Sequence, residues 1–177
     1  MIYAFGSGIY QGQAQLIGDG AQANELVKKL IEVQKITKHP IVTAKHVGLN
    51  LSLFVVDLKF LNQADETFNG VFVNAKLIST FAPLVSGLED DLSIPRLSVS
   101  IDRPKQIEVS FLDENLTEHT ATFSDLVARW ILHGIDQVNG ISIIDKLNKH
   151  RQRSVKGHLK RLEEHKIETN YKLEYDN

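Results

Sequence analysis

The sequence predicts an α+β domain in which short antiparallel strands surround a central helix, with a further helix at the C-terminal end. Apolar residues recur at helical spacing between Ser124 and Gly140, which indicates one buried or half-buried helix. Short segments with the composition and turn residues of β-strands come before this helix. A segment rich in lysine and arginine follows it. The 177 residues are enough for one domain with a proper core.

Composition and charge exclude several kinds of function. The chain has no cysteine, which excludes disulfides, thiolate metal ligands and cysteine nucleophiles. The net charge of −2 implies no attraction of the whole molecule to nucleic acid or membranes. The segment Met1–Gly8 lacks the basic and apolar regions of a signal peptide, and no apolar run reaches membrane-spanning length. We therefore expect a protein of the cytoplasm or of an organelle matrix, with no membrane partner.

The first elements in chain order are an arm and a helix. Residues 1–20 are rich in glycine and glutamine and are expected to form an irregular arm or a short strand. The segment Ala21–Thr37 has apolar residues at helical spacing, which predicts an amphipathic helix. The helix should end at His39-Pro40, because the residue before a proline disfavours the helical conformation.

Strands and turns fill the middle of the chain. The predicted strands, taken in order, are Leu53–Leu58, Gly70–Ile78, Arg96–Ile101, Ile107–Leu112 and His119–Phe123. A loop after the second strand should lead to the acidic run Glu89-Asp90-Asp91. Such a run is typical of a solvated turn, but the carboxylate of Asp91 is also a possible anionic ligand.

The central helix carries polar residues on an otherwise apolar surface. Ser124 is predicted to cap its N-terminus, and the glycine of Asn139-Gly140 is suited to ending it. His133 and Gln137 are four residues apart and share one face, so both can reach one small object. Gly134 lies between them and costs roughly 1 kcal/mol relative to alanine in mid-helix. The simpler interpretation is a hydrogen-bonded core histidine and a close contact between helix and strand at the glycine.

The segment after the central helix is basic. Its basic residues are Lys149, His150, Arg151, Arg153, Lys156, Lys160 and Arg161. Val155, Leu159 and Leu162 provide only a narrow apolar stripe, which predicts a lightly docked helix with a solvated outer face. The alternative is a surface that contacts phosphate groups, since clustered lysine and arginine can bind RNA although the whole chain is near neutral.

Several segments resemble the motifs of peptide deformylases. Leu132-His-Gly-Ile-Asp-Gln-Val-Asn-Gly140 resembles the Q-H-E-x-D-H-L-x-G helix of that family, and Ile141-Ser-Ile-Ile-Asp-Lys-Leu147 resembles its V-L-F-x-D-R-L continuation. Upstream, Glu89-Asp-Asp-Leu-Ser-Ile-Pro95 stands where the family has E-G-C-L-S-V-P, and Val73-Asn-Ala-Lys-Leu-Ile78 resembles I-N-P-x-I-I. The resemblance implies the peptide-deformylase-like fold for residues 1–147, with residues 148–177 as a basic helix and tail of the same domain.

The same resemblance implies that the catalytic apparatus has changed. Deformylases hold their metal with the cysteine of E-G-C-L-S and both histidines of H-E-x-x-H, while the glutamate moves the proton. The corresponding positions here are Asp91, His133 and Gln137 for the metal and Gly134 for the general acid/base. Only one metal ligand matches and the carboxylate is absent. We therefore expect no catalytic residue, empty remnant metal positions and no cofactor.

The resemblance also predicts ligand-binding residues. Gly48 and Leu49 match part of the family's G-x-G-L-A-A-x-Q pattern, and Leu53 or no residue takes the place of its glutamine, the oxyanion donor. Residues three and four before the first histidine help to line the family's methionine pocket. Trp130 and Arg129 are at these positions, where they would fill that pocket or add a positive charge to it. The alternative is that Trp130 is a core residue. The expected ligand-binding residues are Gly48, Leu49, Leu92, Arg129 and Trp130.

Three functional hypotheses follow. The first is a non-catalytic relative, inactive or very weak as an enzyme, that binds a nascent peptide or protein N-terminus, or the ribosome through the basic helix. The second is a metal-dependent hydrolase that removes the formyl group from the methionine of nascent chains, or cleaves a related amide. It would hold iron, zinc or nickel on Asp91, His133 and Gln137. The third is an oligomeric structural protein whose old site is filled by side chains.

Overall fold

The computed structural model describes residues 1–61 and 68–175 and confirms the α+β class. Its strands are β1 Ile2–Tyr3, β2 Ile41–Thr43, β3 Leu53–Asp57, β4 Asn69–Asp91, β5 Ile94–Leu112, β6 Glu118–Ser124 and β7 Leu173–Glu174. Its α-helices are α1 Gly20–Thr37, α2 Asp125–Val138 and α3 Lys149–Glu163. Short 3₁₀ turns lie at Gly8–Tyr10, Ala44–Val47 and Leu58–Phe60. None of the helices in this part of the chain combines the length and apolarity that crossing a membrane requires.

The main sheet is antiparallel and has the strand order β2-β3-β4-β5-β6. Its longest part is a ribbon of β4 and β5, whose register runs from the pair Val73–Leu112 to the pair Asp91–Ile94. The prediction of a loop between Ile78 and the acidic run was therefore wrong, because β4 continues unbroken to Asp91. The ribbon contains register shifts of the kind that β-bulges produce. They allow the strands to continue past residues that suggested turns from sequence.

The predicted strands Arg96–Ile101 and Ile107–Leu112 are one strand, β5. Pro104 lies between them and was interpreted as a turn, but it pairs with Leu84 directly beside a register shift. A proline fits a sheet where its missing N–H is not needed by the ladder, and bulges supply such places.

Helix α2 lies at the centre of the fold and packs on the sheet. Its buried residues join Phe54 of β3 and Phe72 of β4 in one core cluster. Gly140 has a φ of 80° and ends the helical segment as predicted. Ser124 is the N-cap residue of α2 as predicted, but its side chain makes no capping hydrogen bond. Ser124 is also the last residue of β6, and its hydroxyl accepts a hydrogen bond from Gln106 at 3.2 Å.

The two other helices agree with the patterns that predicted them. Helix α1 begins after Asp19, whose carboxylate caps the amide of Ala21 at 2.8 Å, and it ends at Thr37 before Lys38. Helix α3 buries only Val155 and Leu162, so most of its surface faces solvent. Beyond α3 the chain returns to the N-terminal arm, where β7 pairs with β1 in parallel.

Candidate functional site

The structure brings together the three side chains that the sequence placed at the remnant metal positions. Asp91 lies at the end of β4, and α2 presents His133 and Gln137 towards it. His133 Nε2 lies 2.9 Å from one carboxylate oxygen of Asp91, and Gln137 Nε2 donates to the same oxygen at 2.8 Å. All three are almost fully buried, with exposed fractions of 5%, 2% and 5% for Asp91, His133 and Gln137. The three positions thus form a closed polar cluster held by direct hydrogen bonds.

The carboxylate of Asp91 is saturated with donors. Its other oxygen accepts from the backbone amide of Ser93 at 2.7 Å and from the hydroxyl of Ser93. His46 Nε2 lies 3.2 Å from that oxygen as well. An ionised carboxylate offers about four lone-pair positions, so the donors around Asp91 leave none free for a metal ion.

His133 lies between two carboxylates. Its Nδ1 is 3.1 Å from Glu89, while its Nε2 faces Asp91 on the other side. Burial alone would lower the pKa of His133, but the hydrogen bonds to Asp91 and Glu89 outweigh it and raise the pKa to about 9. Both ring nitrogens therefore carry protons near neutral pH. A metal ion bound by His133 would have to displace one of these protons.

Glu89 is the second buried carboxylate of the cluster, and two arginines bind it. Arg103 makes two hydrogen bonds to its carboxylate, at 2.9 and 2.8 Å, and Arg129 adds a third at 2.9 Å. Burial would raise the pKa of Glu89, but the hydrogen bonds from Arg103 and His133 lower it to about 2. Arg103 also bonds to Asp136, which extends the ionic network to the end of α2.

The acidic run is therefore not a solvated turn. Glu89 and Asp91 are buried, with exposed fractions of 1% and 5%, whereas the side chain of Asp90 between them is exposed. This alternation is the period of two of a β-strand, which sends every second side chain to the same face. Asp90 lies 3.5 Å from His39 at the surface.

Gln137 is oriented by a neighbour that the sequence did not indicate. The hydroxyl of Thr43 donates to its amide oxygen at 2.7 Å. The amide nitrogen then points to Asp91, where it donates. The oxygen, which is the atom able to ligate a metal, is therefore held by Thr43.

His46 is the site residue that sequence reasoning missed. The backbone amide of Thr43 donates to its Nδ1 at 3.0 Å, and its Nε2 lies 3.2 Å from Asp91 and 3.0 Å from Nε2 of Gln137. Burial lowers the pKa of His46, against the effect of Asp91. Its ring packs edge-on against Tyr10 with 6.2 Å between centroids.

The position of His46 favours another register for the G-x-G-L-A-A-x-Q pattern. The pairing of β2 with β3 places Thr43 opposite Phe54 and leaves His46 in the turn between the two strands, beside Asp91. A register that sets the pattern's glutamine on His46 instead of Leu53 puts the donor position at the polar cluster. Leu53 is fully buried in a different core cluster.

Of the predicted ligand-binding residues before α2, Gly48 and Leu49 line neither of the two cavities described below, whereas Leu92 lines the second. Gly48 is closed off by the ring of Tyr3, which a Cβ atom at this position would overlap. Leu49 is half-buried against the core cluster that contains Leu92. Leu92 is buried, and its carbonyl accepts a hydrogen bond from the hydroxyl of Tyr171 at 2.8 Å. Their role as ligand-binding residues stays a prediction.

Arg129 and Trp130 are both buried. The guanidinium of Arg129 lies over Gly87 and donates to the carbonyls of Ile101 at 2.8 Å and Val85 at 2.6 Å. Trp130 is 2% exposed and belongs to the core cluster around α2. Of the two alternatives for this tryptophan, the structure favours the core residue.

Position 134 has no room for a side chain. A Cβ atom built on Gly134 would lie 2.5 Å from Cδ2 and 2.6 Å from Cε2 of Phe54. The predicted close contact between helix and strand is therefore confirmed. The ring of Phe54 therefore occupies the space that the Cβ atom of any other residue would need at position 134, which corresponds to the family's general acid/base.

The side chains at the remnant positions do not fit a divalent cation. Donors surround Asp91, His133 faces a carboxylate from each ring nitrogen, and the oxygen of Gln137 accepts from Thr43. Across residues 1–61 and 68–175, no three histidine, aspartate or glutamate side chains are placed so that they could hold an ion.

Two cavities flank Asp91. One, of about 250 Å³, lies between the N-terminal arm and the segment after α2, and Asp91, Ser93 and Gln137 line it. The other, of about 330 Å³, lies on the side of α1 and the C-terminal tail, with His39 and Tyr171 in its lining. The cluster is thus reached from two sides by space large enough for a few residues of peptide or a small molecule.

The chain is similar to a family of known function. The model of the polypeptide deformylase family matches residues 2–153. The peptide deformylase of Prochlorococcus marinus strain NATL2A is 33% identical over 74% of this chain and 70% of its own. That of Borreliella burgdorferi is 36% identical over 68% of this chain and 70% of its own. That of Christiangramia forsetii is 28% identical over 99% and 95% of the two chains.

Solved structures share the fold. A structure of the peptide deformylase of Plasmodium falciparum superimposes with a TM-score of 0.85 at 19% identity, covering 93% of this chain and 96% of that one. A structure of peptide deformylase 1B from Arabidopsis thaliana gives a TM-score of 0.86 at 24% identity, with 93% and 90% covered. These likenesses establish the deformylase fold for the chain.

Proposed function

The chain belongs to the polypeptide deformylase family, and from this premise we propose that it is a non-catalytic member that binds a protein N-terminus or a ribosomal partner. One observation carries the proposal. Asp91, His133 and Gln137, the three positions that correspond to metal ligands, are hydrogen-bonded directly to one another. Metal binding at these positions would have to break these bonds.

The other parts of a deformylase site are also replaced. Hydrolysis of the formyl amide needs a metal to polarise water, a donor for the oxyanion and a carboxylate to move the proton. Gly134 stands at the carboxylate position, and His46 at the donor position is bound to Asp91. Loss of the carboxylate typically costs about 10²–10⁴ in rate and loss of one donor about 10²–10³. Together these losses support an inactive site.

The positions that line the family's methionine pocket, by resemblance, carry Arg129 and Trp130. The guanidinium of Arg129 is bound to Glu89 and to the carbonyls of Val85 and Gly87, which supports a filled pocket. A bound peptide would therefore be recognised through its backbone and its N-terminus. Addition of a peptide as an extra strand needs no metal, and the cavities beside Asp91 leave space for its end.

Metal analysis with an activity assay tests the non-catalytic assignment. Protein purified without chelators should contain iron, zinc and nickel well below one equivalent. Release of formate from a formyl-methionyl peptide should be at least about 10⁴-fold slower than with the Prochlorococcus marinus enzyme as control. The contrary outcome is one metal per chain with formate release that a chelator abolishes and added metal restores. That result would establish the metal-dependent hydrolase instead.

A ribosomal partner is supported by the charge of α3. Lys149, Arg153 and Lys156 are exposed on this helix and make no ion pair within the described part of the chain. Their helix is joined to the core by Val155 and Leu162 on its other side. Exposed cations without acidic partners on one rigid element suit the phosphate groups of RNA.

Cosedimentation with ribosomes should depend on this helix. The variant Lys149→Gln/Arg153→Gln/Lys156→Gln should bind at least about tenfold more weakly and with a shallower salt dependence, since each lost phosphate contact reduces the slope. The matched control is Lys28→Gln/Lys29→Gln/Lys35→Gln on α1, whose lysines are equally exposed. Equal binding by both variants would remove the ribosomal partner and leave the free protein N-terminus.

A further inference from the structure

We propose that the chain forms a symmetric dimer in which residues 76–90 of β4 pair antiparallel with the same residues of a second copy. The first support is a free strand edge. Strand β3 pairs with β4 only from Asn69 to Val73. From Lys76 to Asp90 the strand partner of β4, among the described strands, is β5 on one side alone.

This edge lacks the charges that usually protect a strand edge from pairing. Between Leu77 and Leu88 the sequence has no charged residue. Large apolar side chains are exposed along it: Leu77, Ile78, Phe81, Leu84, Val85 and Leu88, of which Leu84 and Leu88 are 66% and 68% exposed. Monomeric proteins place lysine or other charges on such edges, so this edge is suited to a partner strand.

The order of residues along the edge is complementary to itself. When two copies pair antiparallel around Pro83, each residue faces the one at the same distance on the other side of Pro83. Five of the seven facing pairs are Ile78 with Leu88, Ser79 with Gly87, Thr80 with Ser86, Phe81 with Val85, and Lys76 with Asp90. In these five pairs large apolar residues meet large apolar residues, small ones meet small ones, and the ends carry opposite charges. The other two pairs, Leu77 with Glu89 and residue 82 with Leu84, do not match in this way.

The charges at the ends and the proline at the centre agree with this register. Lys76 makes no ion pair within the described residues, and the side chain of Asp90 is 55% exposed. Such rim pairs favour the correct register and partner more than they add affinity. Pro83 lacks an N–H, but alternate pairs of an antiparallel ladder exchange no hydrogen bond. If the two Pro83 residues form such a pair at the centre of the dimer, no hydrogen bond is lost. The register shift between Phe81 and Leu84 also leaves Pro83 without a partner residue in β5.

The self-complementary pattern is the reason for assigning the edge to a second copy. A peptide or another protein would need a sequence of its own that matches this edge, whereas a second copy already has one. A surface that matches itself under a two-fold rotation is the requirement of a symmetric dimer. The proposal is independent of whether the chain is catalytic.

The absence of cysteine from the chain permits a sharp test of the register. Ile78→Cys and Leu88→Cys chains are mixed and treated with a short bismaleimide. The mixture should cross-link efficiently, because directly opposite Cβ atoms lie about 4.5–5.5 Å apart. Either chain alone should not, because its cysteines would be roughly 33 Å apart. A mixture of Leu77→Cys with Ile78→Cys, also at exposed positions, is the control and should not cross-link, because every pair of its cysteines would be more than roughly 30 Å apart.

Sedimentation velocity tests the dimer without cross-linking. The wild-type chain should show a concentration-dependent monomer–dimer equilibrium, and Leu84→Lys should raise the dissociation constant at least about tenfold. Ile36→Lys on α1 is the matched control, since Ile36 is 69% exposed and far from the edge in sequence. A wild-type monomer at every concentration, or cross-links equal in the test and control mixtures, would overturn the dimer. A monomer that binds an added peptide along this edge would assign the edge to a peptide.

Discussion

Gly134→Ala should lower the stability of the protein, although alanine is the better helix former. A Cβ atom at this position would lie 2.5 to 2.7 Å from ring atoms of Phe54. The ring cannot move away easily, because Phe54 is fully buried and stacks on Phe72 with 5.0 Å between centroids. Overpacking a core typically costs roughly 1–3 kcal/mol, which outweighs the roughly 1 kcal/mol gained from helix propensity.

Urea denaturation measures this effect, and the chain contains its own control. Gly157 lies in α3, and a Cβ atom there would meet no atom within 4 Å. Gly157→Ala should therefore raise the free energy of unfolding, by up to roughly 1 kcal/mol. Gly134→Ala should lower it, and Phe54→Leu in the same chain should recover part of the loss. Equal stabilisation by both alanine substitutions would show that position 134 has room for a side chain.

The same contact bears on attempts to restore a deformylase site. The substitutions Asp91→Cys, Gly134→Glu and Gln137→His would recreate the family's residues in sequence. The glutamate would have to begin inside the ring of Phe54, and His46 would still lie beside position 91. We therefore expect the triple variant to fold poorly rather than to bind metal.

Elements that depend on a local sequence pattern were predicted well from the sequence. The helical spacing of apolar residues predicted α1 and α2 almost to their ends, and Gly140 ended the second as expected. The motif resemblance also located Asp91, His133 and Gln137, which the fold brings together. Local spacing and motif order are sufficient for such features, because helical periodicity needs no knowledge of distant residues.

The features that were missed depend on distant partners. Glu89 is buried because Arg103, Arg129 and His133 surround it, at sequence separations of 14, 40 and 44 residues. No local pattern distinguishes such a carboxylate from one in a solvated turn. His46 was missed for a related reason, since only the pairing of β2 with β3 shows which residue reaches Asp91.

Glu89→Gln should be among the most destabilising single substitutions in this chain. The amide keeps the shape of the side chain but removes the charge that faces Arg103, Arg129 and His133. The two arginines are only 4% and 6% exposed, so water cannot replace the lost partner. Removing one partner from a buried ionic cluster typically costs roughly 3–5 kcal/mol, because the remaining charges stay desolvated.

Chemical denaturation and NMR titration together test this expectation. Glu32→Gln on the exposed face of α1 is the matched control and should change stability by less than about 0.5 kcal/mol. Glu89→Asp, which keeps the charge on a shorter side chain, should fall between the two. In Glu89→Gln the pKa of His133 should fall below about 9, because one of the two carboxylates that raise it is lost. Unfolding of Glu89→Gln at the same denaturant concentration as Glu32→Gln would mean that the charge of Glu89 does not stabilise the fold. An unchanged pKa of His133 in Glu89→Gln would mean that Glu89 does not stabilise the protonated imidazole.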